Sequence, residues 1–207
     1  MTMRGFNFLI FFYSLLSVGQ NSFTVPDSLS SLKYKEDQFY IGTNYVLLKG
    51  DNDQVQQNDF SSQVYFGFLR DFSINKRGNF ALAIGLGPSY TQFQSNIDFR
   101  TGSISPQTFN TVKYMSLNLP FEIRWRSSDP KSFSFWRIYL GTQIQYNFIS
   151  DKIGALKKIT SVSTINLGYN TWNFSIGYDL YPRLKEFESI QSTKLKILTI
   201  GLIFYIF

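Results

Sequence analysis

The chain has 207 residues, of which 16% are charged and 18% are aromatic, and its formal net charge is +6. It has no cysteine, which excludes a disulfide scaffold and a zinc–thiolate site, and no histidine, which removes the commonest general base and metal ligand. A net positive charge can indicate binding to nucleic acid or to an anionic membrane surface. The strand pattern along the chain, described below, favours the membrane.

The N-terminal region has the features of a secretory signal peptide. Arg4 precedes an apolar run from Phe6 to Val18, and small residues then follow up to Gly19. Because the run is too short to span a bilayer as a helix, the pattern predicts a signal peptide over residues 1–19 and export from the cytoplasm. An N-terminal strand or an uncleaved helix is the alternative interpretation. Residues 20–37 then form a short segment ahead of the first predicted strand.

Beyond this segment, apolar side chains recur at every second position, which is the period of a β-strand. From Phe80 to Pro88 the even positions are bulky and apolar, whereas the odd positions carry only alanine and glycine. The predicted strands run for about 12–15 residues, compared with about 5–6 in soluble proteins. Aromatic residues also gather at the strand ends, as they do in membrane girdles. These features favour transmembrane strands over a soluble β-sandwich.

The pattern predicts eight strands, an even number as in single-chain bacterial outer-membrane barrels. They cover residues 38–48, 60–74, 80–94, 112–126, 134–149, 160–169, 172–182 and 194–207. Long and short connections alternate along the chain, so with both termini in the periplasm every long connection lies outside the cell. We therefore predict an all-β fold, an eight-stranded antiparallel transmembrane β-barrel over residues 38–207 in the cell outer membrane, in contact with outer-membrane lipid.

The end of the chain resembles the C-terminal assembly signal of outer-membrane barrels. That signal has a polar residue, a glycine two positions later, and then hydrophobic or aromatic residues. The matching residues here are Thr199, Gly201, Phe204, Ile206 and the terminal Phe207. The resemblance implies that the barrel assembly machinery is a partner during insertion. An apolar last strand is also reasonable because in lipid it must pair with the first strand.

Two motifs carry a family resemblance, namely GLGPSY at 85–90 and SLNLPFEIRWRSSDPKSFSFWRIYLGTQIQYNF at 116–148. Together with the predicted signal peptide and the eight alternating strands, they make the chain similar to the PorT-type outer membrane protein β-barrel family of Bacteroidota. The family has a proline within its fourth strand, followed by a short turn. The residues that match this feature here are Leu119, Pro120, Glu122 and Arg124. The glycine that the family often places three positions before the terminal phenylalanine lies farther away here, at Gly201. The resemblance implies a role such as accessory subunit of the type IX secretion system, in protein transport, although many relatives have no assigned role.

Charged residues on the inward face form the first candidate site. Side chains fill the interior of an eight-stranded barrel, which argues against a wide aqueous pore. Strand parity places Asp71, Glu122, Arg124, Arg137 and Asp179 in the lumen, and we expect Glu122 and Arg137, on adjacent strands, to form an ion pair. Such a pair can gate a narrow channel or neutralise buried charge, and the filled interior favours neutralisation.

The outer surfaces offer further candidates. Ser161 and Ser163 face outward on strand six, where small side chains allow a membrane partner to approach closely. Alternatively, both serines lie near the external rim, where polarity costs little. An external loop clusters Lys152, Lys157 and Lys158, which either contact lipopolysaccharide phosphates or are simply solvated. The carboxylates in the connection 49–59 lack the glycine and glutamate of a calcium loop, so we predict no metal.

Two classes of function remain. Without histidine the chain lacks the catalytic pattern of outer-membrane acyltransferases, deacylases and proteases, so we predict a non-enzymatic protein with no cofactor and no nucleic-acid partner. The first class is an accessory or structural subunit of a membrane protein complex, such as the type IX secretion translocon. The second is a free-standing small barrel for adhesion or membrane stabilisation.

Overall fold

The computed structural model describes residues 37–50, 55–75, 78–101, 103–105, 107–127, 136–185 and 194–206. The predicted signal peptide over residues 1–19, the segment that follows it up to residue 36, and Phe207 lie outside the described residues. None of the helices within the described ranges is long and apolar enough to cross a membrane.

Eight strands form one closed antiparallel barrel, which confirms the predicted fold class. The strands are β1 (Asp37–Lys49), β2 (Gln57–Ser73), β3 (Phe80–Ser95), β4 (Asn110–Arg126), β5 (Trp136–Phe148), β6 (Ile159–Tyr169), β7 (Trp172–Asp179) and β8 (Lys196–Ile206). Each strand pairs with the next along the chain, and β8 pairs with β1 from Lys196 opposite Lys49 to Ile206 opposite Phe39. Closure leaves no unpaired sheet edge.

Two strand ends differ from the prediction by three residues, and the others agree within two. The second strand begins at Gln57, because an irregularity between Asn58 and Ser62, with Asp59 at a φ of 65°, lets pairing continue past the expected start. The seventh strand ends at Asp179 because the Asp179 carboxylate accepts hydrogen bonds from Arg183 and from the Ile197 backbone N–H. These contacts turn the chain away from the sheet.

The barrel wall is apolar outside and polar inside. Alternate residues point to opposite faces, and the burial of β1, β4 and β7 alternates accordingly. Exposed side chains such as Phe66, Leu86 and Ile123 cover the outside, whereas asparagine, glutamine, serine and arginine are buried inside. This distribution is the reverse of that in a soluble protein and suits hydrocarbon outside the wall.

Inward-facing glycines make room for tyrosines in the interior. A Cβ atom at Gly42 would lie 2.3 Å from the Tyr65 ring, and one at Gly87 would lie 2.6 Å from the Tyr40 hydroxyl. Tyr40 and Tyr65 pack with Leu69, and their ring centroids are 6.1 Å apart. The small positions that alternate along β1 and β3 are therefore filled by large side chains from neighbouring strands.

Long connections cover one end of the barrel, which we call the long-loop end, and short connections lie at the other, the short-turn end. The β3–β4, β5–β6 and β7–β8 connections join through backbone hydrogen bonds from Ala155 to the Phe99 carbonyl and from Lys185 to the Ala155 carbonyl, each 2.8 Å. Beneath them lies an apolar cluster, the loop cap, formed by Val46, Phe93, Ile97, Phe99, Val112, Tyr114, Ile153, Ala155, Leu156, Leu184, Leu195 and Ile197.

Candidate functional site: the closed interior and the outer wall

Arg124 is the centre of a buried ionic cluster at the short-turn end. Its Nη1 lies 2.5 Å from Asp71 Oδ1 and donates to Gln38 Oε1 at 3.0 Å, while its Nε donates to Glu122 Oε2 at 2.8 Å. The other Asp71 oxygen, Oδ2, lies 3.1 Å from Arg126 Nη2. Arg124 and Asp71 are both fully buried, so these charges depend on one another for compensation.

Aromatic rings complete this ionic cluster. The Arg124 guanidinium carbon lies 4.5 Å from the centre of the Tyr139 ring and 5.2 Å from that of Tyr205. The two rings contact each other edge to face, with centroids 5.7 Å apart. A guanidinium within about 6 Å of a ring is attracted by the ring quadrupole, and more strongly away from water. The cluster therefore closes the short-turn end with both charge and ring packing.

The predicted ion pair between Glu122 and Arg137 is wrong. Both residues are buried in the interior, but the register places Glu122 opposite Gly141 and Arg137 opposite Arg126. Four residues along a strand correspond to about 13 Å, so the two side chains lie at different depths. Glu122 instead pairs with Arg124 and accepts a hydrogen bond from Asn166 Nδ2 at 3.2 Å, while Arg137 Nη2 donates to the Asn170 carbonyl.

Asp179 belongs to a second cluster, under the loop cap. Its carboxylate binds Arg183 in a bidentate manner, with Nε at 2.6 Å and Nη2 at 2.8 Å. Arg183 also donates to the Tyr114 hydroxyl at 2.8 Å and to Gln145 Oε1 at 2.9 Å. Burial acts to lower the pKa of Arg183, but Tyr114 and Asp179 outweigh it, so the pKa is raised and the guanidinium stays charged.

Sequence reasoning missed Arg183 because it lies in a predicted connection. The usable signal was its spacing, four residues after an inward-facing aspartate at the end of a strand. That spacing lets the chain turn and return the guanidinium to the carboxylate, which joins the β7–β8 connection to the barrel interior.

Between the two clusters the interior holds a cavity of about 40 Å³. A buried water needs roughly 10–15 Å³, so this space holds about three waters. Asn44 Oδ1 and Asn166 Oδ1, both in residues that line the cavity, have no hydrogen-bond partner among the described residues. The described interior is therefore suited to a few waters and is too full for a hydrated solute.

Ser161 and Ser163 lie half-buried on the outward face of β6, and Thr142 lies beside them on β5. Thr142 is directly opposite Ser163, and its hydroxyl lies 3.3 Å from that of Ser161. Sequence reasoning missed Thr142, although its outward parity in β5 was readable. These three residues form a small polar area, which we call the wall patch, within an otherwise apolar surface.

A groove of about 300 Å³ adjoins the wall patch toward the long-loop end. Ile144, Ser161 and Tyr181 line it, and Lys157 lies at the same groove. Of the other loop lysines, Lys152 and Lys158 are exposed. The described residues contain no group of three or more acidic side chains that could hold a metal ion.

The predicted assembly-signal residues lie on β8, except Phe207, which is outside the described residues. Thr199 points inward, where its hydroxyl donates to the Gly177 carbonyl at 3.4 Å, and Ile206 is exposed on the outer face. Gly201 pairs with Asn44 and Phe204 with Ile41 across the closing seam. A Cβ atom at Gly201 would lie 2.0 Å from the Thr43 carbonyl oxygen, so this position needs glycine for closure.

Residues 19–202 match the family model described as outer membrane protein beta-barrel domain. No curated protein and no solved structure matches the chain.

Proposed function

The chain belongs to the outer membrane protein beta-barrel family and lies in the outer membrane, and from this premise we propose that it is a non-enzymatic accessory or structural subunit of an envelope protein assembly. The type IX secretion translocon is the candidate assembly, on the basis of the PorT-type resemblance. We include the barrel assembly machinery as a partner during insertion, acting through β8, and lipopolysaccharide as a partner of the loop lysines.

The filled interior is the observation that carries this proposal. Arg124 with its carboxylates occupies the short-turn end, Arg183 with Asp179 lies under the loop cap, and the cavity that the described residues line between them is about 40 Å³. A barrel without room for a solute must act through its surfaces, by contacting lipid or other proteins. This favours a binding or structural role over transport through the lumen.

The buried carboxylates support a non-enzymatic role. Asp71, Glu122 and Asp179 each contact an arginine in the interior, and none has an adjacent histidine, because the chain has none. A general base must be within reach of the proton that it removes from a substrate. Carboxylates held by arginines inside a filled barrel are suited to neutralising charge.

The wall patch is the surface that we propose for partner docking. Lipid gives no hydrophobic reason for two transmembrane surfaces to associate, so such contacts favour small side chains that allow close approach and hydrogen bonding. Thr142, Ser161 and Ser163 supply both properties. The Thr142 and Ser161 hydroxyls, 3.3 Å apart, can exchange their mutual hydrogen bond for one with a partner.

Cysteine crosslinking tests this proposal directly, because the native chain has no cysteine to interfere. We expect Ser161→Cys and Ser163→Cys to crosslink in native membranes to one discrete protein, which also co-purifies with the tagged barrel in mild detergent. Val64→Cys is the matched control, since Val64 is outward-facing on β2 and exposed. It should give no adduct.

Labelling of both serine positions by a lipid-phase reagent, with no protein adduct and no co-purifying partner, would reject the docking role. That result would favour the second candidate, a free-standing barrel for adhesion or membrane stabilisation. The specific feature in favour of this alternative is the set of connections that pack over the loop cap, because they form an ordered surface at the long-loop end.

A further inference from the structure

The outer wall carries a second groove, nearer the short-turn end, which we call the wall groove. Its volume is about 600 Å³, within the range of roughly 300–1,000 Å³ typical of small-molecule sites. Its outward side chains are Phe72, Leu82, Ile84, Phe121, Ile123 and Leu140, which are apolar, and Thr142. Ala83, Glu122 and Gly141 also line it but point inward, so they contribute backbone to the groove. An apolar groove on a lipid-facing wall has the chemistry of an acyl-chain site.

Arg70 lies at the edge of this groove. It is outward-facing on β2 and pairs directly with Ile84, a groove residue. Its guanidinium lies 6.0 Å from the ring centre of Phe72, which also lines the groove. Among the described residues, Arg70 is the only outward-facing cation on the short-turn half of the wall. A cationic head and an apolar groove therefore lie side by side.

The known neighbour of Arg70 leaves most of its donors available. Arg70 Nε lies 3.6 Å from Asp37 Oδ1, and both side chains are about half exposed. An exposed pair at this distance is weak, and a guanidinium carries five N–H donors in a planar fork. That fork matches the oxygens of a phosphate in a bidentate manner. Arg70 can therefore bind a phosphate while Asp37 stays nearby.

We propose that the wall groove binds one glycerophospholipid from the leaflet on the short-turn side. One acyl chain lies along the apolar side chains, and the phosphate binds Arg70. The position of Arg70 near the end of β2 suits this arrangement, because headgroups lie at the boundary of the hydrocarbon and an arginine there is tolerated far better than at mid-membrane. Thr142 of the wall patch also lines this groove, but the proposed lipid contacts are with Arg70 and the apolar side chains, so the proposal does not depend on partner docking at the wall patch.

Native mass spectrometry of the full-length barrel in detergent tests this site. The probes are dioleoylphosphatidylglycerol and dioleoylglycerol, which share their acyl chains and differ in the anionic phosphoglycerol headgroup. We expect the native protein to retain one phosphatidylglycerol per barrel, about tenfold in preference to dioleoylglycerol, as a charge-assisted contact implies. Equal retention of the two lipids by the native protein would overturn the proposal without any variant.

Three variants locate the site. Arg70→Gln should reduce phosphatidylglycerol retention to the dioleoylglycerol level, whereas Asp37→Asn should keep or raise it by removing a competing carboxylate. Leu82→Trp, which fills the groove with another apolar side chain, should reduce retention of both lipids. Lys113→Gln is the matched control, because Lys113 is an exposed outward cation toward the long-loop end of β4. Undiminished phosphatidylglycerol binding by Arg70→Gln would show that Arg70 does not hold the phosphate, and an equal loss in Lys113→Gln would show charge attraction without a site. Either result would overturn the proposal.

Discussion

The two ends of the barrel are closed in different ways. At the short-turn end, charges on the strands themselves meet in the interior, with Asp71 held between Arg124 and Arg126. At the long-loop end, three connections fold over an apolar cluster that includes Phe99 and Leu156. The first closure is fixed by the sheet, because each charge is placed by strand register. The second depends on connections that pack against one another.

This difference determines which end of the barrel can open locally and which end can open only when the whole barrel unfolds. Losing a charge from the strand cluster leaves another charge buried without compensation, which destabilises the whole barrel. Losing an apolar contact from the loop cap can be absorbed by local opening of the connections, while the sheet stays closed. We therefore expect global consequences at the short-turn end and local consequences at the long-loop end.

The largest effect should follow from Asp71→Asn. Arg124 and Arg126 share the Asp71 carboxylate, and breaking a buried pair typically costs about 3–5 kcal/mol. We expect the free energy of unfolding in lipid vesicles, measured by urea titration of tryptophan fluorescence, to fall by about that amount.

Asp37→Asn is the matched control for this change, since Asp37 forms a half-exposed pair with Arg70. Exposed pairs contribute about 0–1 kcal/mol, so its unfolding should hardly change. Similar losses in the two variants would mean that burial does not set the strength of the short-turn closure.

A smaller and local effect should follow from Leu156→Ala. Leu156 is buried in the loop cap and bridges to Leu184 in the next connection. Leu→Ala in a packed core costs about 2–5 kcal/mol, and here the loss should appear as opening of the connections. We expect faster trypsin cleavage at Lys157 and Lys158, with unfolding of the barrel itself nearly unchanged.

Leu180→Ala is the control for the loop cap, because Leu180 is exposed on the outer face. This substitution removes the same atoms as Leu156→Ala without affecting the cluster. Its cleavage rate should match that of the native protein. Loss of heat-modifiable barrel in Leu156→Ala, to the same degree as in Asp71→Asn, would remove the distinction between a global and a local closure.

Much of the fold could be predicted from the sequence because a barrel wall repeats one physical rule. Outward residues such as Leu82 and Ile84 must suit hydrocarbon, while the intervening Ala83 must fit a filled interior, so parity alone assigns both faces. Parity also placed the five predicted charges inside. It is insensitive to depth, since moving a strand by two residues leaves every side chain on the same face.

The depth of each charge depends on register, which the sequence did not specify. The register of β4 with β5 decides whether Arg137 meets Glu122 or lies opposite Arg126. Arg183 shows a second limit of sequence-based prediction. It lies in a connection, which has no periodic pattern, so its contact with Asp179 could not be inferred from parity. Periodicity therefore predicts the face of the wall on which each side chain lies, whereas tertiary packing decides which residue that side chain contacts.

The smallest expected effect tests that register within the short-turn cluster. Glu122 lies 2.7 Å from Arg124 Nη2, so Glu122→Gln and Arg124→Lys should be coupled by about 0.5–3 kcal/mol in a double-mutant cycle of unfolding free energies. The matched cycle pairs Glu122→Gln with Arg137→Lys, and its two changes should be additive within about 0.5 kcal/mol, because register separates these residues. Using Lys keeps the positive charge in both cycles, so the comparison isolates geometry from net charge. Equal coupling in the two cycles would mean that Glu122 interacts with the whole basic lining of the short-turn end, and that its contact with Arg124 has no special role in closing it.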